Sequence, residues 1–168
     1  VRIEEFDRLD AGAAAEVLRP CVAIDSWVTT LVAGRPYGDA AALLAAAEAQ
    51  AATWTPAEVE GALADHPRIG ERPHGDGTSA AMSRSEQSGV PEDAEVQARL
   101  ADGNRRYEAR FDRIYLVRAA GRSAEEMLAL LEERLGHDDA TEQEVTRGQL
   151  AEIAVLRLRG LLRVDDRP

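Results

Sequence analysis

Residues 141–162 read TEQEVTRGQLAEIAVLRLRGLL. Leu150, Ile153, Ala154, Leu158 and Leu161 recur at the spacing that lines one side of an α-helix, while Glu152, Arg159 and Arg163 fall on the opposite side. The run predicts a long amphipathic helix from about Asp139 or Thr141 to Leu162, its apolar stripe turned into a core. Arg157 falls in the middle of that stripe. A guanidinium cannot shed its charge, so burying one demands an anionic partner. Three readings stay open: a structural ion pair with Glu86 or another buried carboxylate, a side chain snorkelling to an edge, or an anion-binding site.

The rest of the chain reads as helix of the same kind. Alanine, the best helix former, makes up roughly a fifth of the 168 residues, and aromatics only 4%. Asp10, Asp39 and Ser123 stand as N-caps, and TPAE at 55–58 combines a capping box with proline in the first turn. These signals predict helices from Asp10 towards Pro20, Ile24 to Val32, Asp39 to Ala52, Thr55 to about Ala64, and Ser123 to Leu135 with Gly136 as the stop. A further helix should start at Pro91 and run through Val96, Leu100 and Tyr107 towards Phe111. SRSE at 83–86 reads as another capping box, opening a short helix through Ser88. Residues 65–80 hold two prolines and three glycines and read as a long loop, of the kind that usually carries function. Ile114 to Val117 is β-like but too short for a sheet, and reads as an extended connector with exposed backbone groups. The expectation is an all-α, bundle-like single domain over residues 1–168, with about seven or eight helices.

Composition narrows the chemistry. The chain has no lysine, which excludes Schiff-base catalysis and the P-loop. Its one cysteine, Cys21, excludes an intrachain disulfide and a Cys-rich zinc site, and fits a reducing, cytoplasmic setting. A net charge of −11 argues against nucleic acid as a partner, and no apolar run is long enough for a membrane span. No His-x-x-x-His or acidic ligand cluster suggests a metal. What remains is acid–base work by few groups. His66, fixed in direction by Pro67, is the natural candidate; it competes with an ordinary surface histidine. His74 reads as a mobile loop residue and His137 as a structural cation at a helix C-terminus. Ser83 and Glu86 are explained by capping alone, although a helix start with Gln87 beside it would also suit an anion.

HPRIGE at 66–71 followed by SRSEQ at 83–87 resembles the 2-oxo-4-hydroxy-4-carboxy-5-ureidoimidazoline (OHCU) decarboxylase family. The likeness extends through Ile3 to Pro20, the Phe111 to Ser123 segment and the terminal Leu-Arg157-Leu. It implies an all-helical, cofactor-free enzyme, often a homodimer, that converts an anionic ureidoimidazoline to (S)-allantoin in the last step of urate oxidation. His66 and Glu86 would be the catalytic pair, with Ser83, Gln87 and Arg157 holding substrate and Pro67 shaping the pocket. The backbone of Leu116, Val117, Arg118 and Ala119 would contact the ring. Such a substrate is its own electron sink, so orientation and proton handling suffice: Glu86 would fix the His66 ring and favour its protonated form. The instability of this substrate suggests contact with the upstream enzymes. The competing classes are a non-enzymatic helical binding or assembly module, and a cofactor-free lyase acting on another small anionic ring. They are separated by whether His66, Glu86 and Arg157 converge on one cavity.

Overall fold

A computed structural model describes residues 1–71, 77–87 and 93–162. Among them are nine helices and no strand: α1 (Ile3–Arg8), α2 (Ala11–Leu18), α3 (Asp25–Ala33), α4 (Ala40–Ala51), α5 (Pro56–Leu63), α6 (Thr78–Glu86), α7 (Ala94–Phe111), α8 (Ala124–Leu135) and α9 (Asp139–Leu161). The caps act where the sequence places them. Asp10 accepts from the amide of Ala13, Asp39 from Ala42 and Ser123 from Glu126, while Thr55 and Glu58 exchange the reciprocal bonds of a capping box. Helix α7 is capped by Asp93, and the expected start at Pro91 lies outside the described residues.

Two elements depart from expectation. Helix α1 carries no strong start signal, but Ile3 and Phe6, one turn apart, are both buried and hold it to the body of the protein. Ser83 opens no helix: α6 already begins at Thr78 with Gly77 as its N-cap, so Ser83 lies inside it and Glu86 at its end. The apparent capping box is one face of a helix interior. Its expected end at Ser88 lies outside the described residues.

Helix α9 packs against α4 and α5, with α2, α3 and α4 in succession beside them, and α7 pairs with α8. This produces two apolar clusters. The larger joins α1 to α5 with Leu150, Ile153, Ala154, Val155 and Leu158 of α9; the smaller joins α7 and α8 around Leu100, Tyr107, Met127 and Leu131. The extended segment after α7 runs between them. Tyr115, Val117 and Ala119 point into the smaller cluster and Leu116 into the larger, the two-residue alternation of a strand without a partner strand. Its backbone is not left exposed, as had been expected. Arg134 Nη1 donates to the Leu116 carbonyl at 2.5 Å, and the Arg118 amide donates to Gln149 Oε1 at 2.9 Å. Side chains, Arg134 buried and Gln149 half-buried, thus do hydrogen bonding that a sheet would otherwise supply.

Candidate functional site

Helix α5 ends at Leu63, and the amide of His66 closes the turn onto the Leu63 carbonyl at 3.0 Å. Pro67 then directs the chain away, leaving the imidazole half-buried in the wall of a cavity of about 350 Å³. Ala64, Asp65, Pro67, Gly77, Ser79 and Ala80 complete its described walls. Behind them lies Arg157, buried on the apolar stripe of α9.

Its guanidinium is held on every side. Nε donates to Glu86 Oε1 at 2.6 Å and Nη2 to Glu86 Oε2 at 3.1 Å, the bidentate geometry that suits a carboxylate. Nη2 also donates to Ser83 Oγ at 2.9 Å. Nη1 reaches the Pro20 carbonyl at 3.3 Å and Ser79 Oγ at 3.4 Å. Five N–H groups thus meet five acceptors, the full capacity of an arginine. Of the three readings open from sequence, the ion pair with Glu86 is the one formed. The two contacts of Nη1 are the longest and therefore the weakest. One of the two partners, Ser79, also lines the cavity.

Ser79 escapes a reading that ends the loop at residue 80. Once α6 starts at Thr78, Ser79, Ser83 and Glu86 stand at positions i, i+4 and i+7, one helical face turned to Arg157. That spacing is visible in the sequence once the start of α6 is placed. Cys21, beside the Pro20 carbonyl, is buried, and burial pushes its thiol up to about 12 against the opposing pull of Arg157. It is an inert packing residue.

The charge state of His66 differs from expectation. Burial, and secondarily the nearby Arg157 charge, bring its pKa down to about 4. The Glu86 carboxylate is taken up by Arg157 and does not favour imidazolium. At neutral pH the site thus holds an uncharged imidazole beside a neutralised ion pair.

Gln87, the C-cap of α6, accepts at Oε1 from the amide of Gly70 at 3.1 Å. Because that partner is a donor, the amide orientation is determined: the NH₂ group of Gln87 remains for other acceptors. Leu116, Val117 and Ala119 are buried in the two clusters, and Arg118 lines a separate cleft with Glu152, Val155 and Arg159. The described walls of the His66 cavity include none of the four. His74 lies outside the described residues. His137 contacts Glu142 Oε2 through Nδ1 at 3.0 Å, in a structural cluster described below. Among the described residues no group of His, Cys, Asp and Glu could hold a metal ion, and no helix is long and apolar enough to cross a membrane.

No curated protein matches the chain significantly by sequence. Among solved structures it is similar to the crystal structure of OHCU decarboxylase in the presence of (S)-allantoin, with a TM-score of 0.70 at 22% identity over 88% of this chain and 96% of that one. It is also similar to (S)-allantoin synthase, with a TM-score of 0.72 at 18% identity; there it is 99% covered but spans only 55% of the longer chain. At these identities the likeness is one of fold. The family model for OHCU decarboxylase matches residues 7–159, almost the whole sequence, and this chain therefore belongs to the OHCU decarboxylase family of carboxy-lyases.

Proposed function

We propose that the His66 cavity carries out the cofactor-independent decarboxylation of 2-oxo-4-hydroxy-4-carboxy-5-ureidoimidazoline to (S)-allantoin, with His66 and Glu86 as its catalytic groups. The observation that carries the reading is an uncharged imidazole in the cavity wall, one serine away from a buried arginine. Breaking the bond to the carboxylate leaves an electron pair that the ring accepts. The ring hydroxyl loses its proton as the carbonyl forms, and the neighbouring carbon receives one on a single face. A neutral His66 is ready to take the hydroxyl proton, which imidazolium is not.

The substrate carboxylate is directed to Nη1 of Arg157, where the Pro20 and Ser79 contacts are the easiest to displace. Ser83 holds the other guanidinium edge, and as substrate draws Arg157 forward the Glu86 carboxylate is released to share a proton. The NH₂ of Gln87 is a donor for the ureido oxygen, and Pro67 shapes the cavity wall. Of the residues the family likeness suggested, only His66 and Pro67 line the cavity's described walls; Arg157, with Ser83 and Glu86, adjoins them through Ser79, whereas the backbone of 116–119 has no such link and the least support.

The test generates the unstable substrate from urate with the upstream enzymes and follows allantoin by circular dichroism. The protein should accelerate appearance of the (S) signal; an unchanged trace overturns the reading. The proposal extends to a homodimer, on the family likeness, to a reducing cytoplasmic setting, on the free thiol of Cys21, and to contact with the upstream enzymes, on substrate instability. Light scattering of the purified protein and its co-purification with those enzymes check the first and last.

A further inference from the structure

Beyond the cavity, one buried polar side chain grips the loop that carries His66. Residues 67–71 have no helix of their own; beyond one turn, closed by the Glu71 amide onto the Arg68 carbonyl at 3.0 Å, they are held from outside. Arg68 forms a bidentate pair with Glu108, but both are substantially exposed and such a pair fixes little. Ile69 is buried in the α7–α8 cluster, and its carbonyl accepts from Asn104 Nδ2 at 3.1 Å. Gly70 adopts φ +90°, a conformation that suits glycine, and a Cβ there would meet Gln97 Oε1 at 2.7 Å. Its amide then reaches Gln87. Asn104 is 5% exposed, and its Oδ1 has no hydrogen-bond partner. Leucine would pack at such a site without leaving an orphan acceptor. What asparagine adds is the single bond to the Ile69 carbonyl.

We propose that Asn104 is a positioning residue, which through the Ile69 carbonyl sets His66 on one side and, through Gly70, the Gln87 amide on the other. Helix α7 thereby aligns two groups supplied by different elements, without itself lining the cavity's described walls. This rests on the assignment of His66 made above.

Asn104→Leu removes the bond while keeping the bulk, and Asn104→Ser removes the reach without adding bulk, in case the leucine variant fails to fold. Turnover is followed by circular dichroism, stability by urea, and the His66 imidazole by NMR titration. Expected for the folded variant is a fall in kcat of about 10- to 100-fold, the effect of a displaced catalytic group, with KM moved less than about threefold. The His66 titration should move upward from about 4 by about a unit or more as the loop loosens. A variant that loses stability while keeping the His66 titration and kcat of the parent overturns the proposal and leaves Asn104 purely structural. If His66→Ala itself turns over normally, the functional reading falls, and the NMR titration alone then decides whether Asn104 places the ring.

Discussion

At the residue scale, the neutral His66 has two consequences of defined sign. An unfolded chain protonates this histidine near 6.5, whereas the folded one waits until about 4. Between those values the unfolded state binds the extra proton, so stability is fully present above pH 6.5 and is lost as pH falls towards 4. The loss totals about 3 kcal/mol. Urea titrations of wild type and His66→Asn across that range should show a steeper acid loss in wild type; parallel curves would mean that the ring is not held neutral. The acid limb of kcat/KM, which reports the free enzyme, should accordingly lie well below 6.5. His66→Ala and Glu86→Ala should each lower turnover by about 10²–10⁴-fold, and a folded variant with near-normal turnover removes that residue from the mechanism.

Among the elements, α7 and α8 show how closely the scaffold is packed. A Cβ added at Gly103 of α7 would stand 2.3 Å from Leu131 Cδ2 of α8. Alanine improves helix propensity at this position, yet Gly103→Ala should destabilise by about 1–3 kcal/mol because the fully buried Leu131 side chain must leave its packed position. A gain in the urea midpoint would show that the contact yields. The start of α9 is secured differently. Glu142 is fully buried and accepts from Arg134 Nε at 2.7 Å and Tyr107 Oη at 2.5 Å, with His137 at 3.0 Å. Arg134 extends the cluster to the Leu116 carbonyl and to Thr146. Arg134→Leu should destabilise by about 3–5 kcal/mol, since it strands a buried carboxylate, and Arg134→Leu with Glu142→Leu should lose less than the single change. A double variant that is worse than the single one would contradict this account.

For the whole molecule, the decisive quantity is charge. The chain carries −11, and the one buried arginine behind the cavity is already neutralised by Glu86. An anionic substrate therefore approaches a repelling body with no positive excess in the described site to draw it. Raising ionic strength from about 20 to about 200 mM screens that repulsion, and kcat/KM should rise by about twofold. A fall instead would reveal an attracting field at the cavity mouth. The net charge, first read only as a bar to nucleic acid, thus becomes a statement about how substrate arrives.

Local chemistry determined much of this protein within the sequence. Caps such as Asp10, Thr55 and Ser123 bond to amides three residues away, and the apolar stripe of α9 repeats every turn; both depend on neighbours in the chain, so both are legible there. The need of Arg157 for a buried anion was legible too, and so was the family, from the HPRIG and SRSEQ strings. What only the tertiary structure decided is which distant groups meet. Ser83 and Glu86 look like a capping box because a helix start and a helix face share the same short spacing, and only the start of α6 at Thr78 separates them. Arg134 and Glu142 each stand at a helix end where the charge suits the dipole, and no local pattern marks either as buried; α7, α8 and the 114–119 segment close over them. The protonation of His66 belongs to the same class: it follows from burial and from an arginine 91 positions away, which no local pattern records.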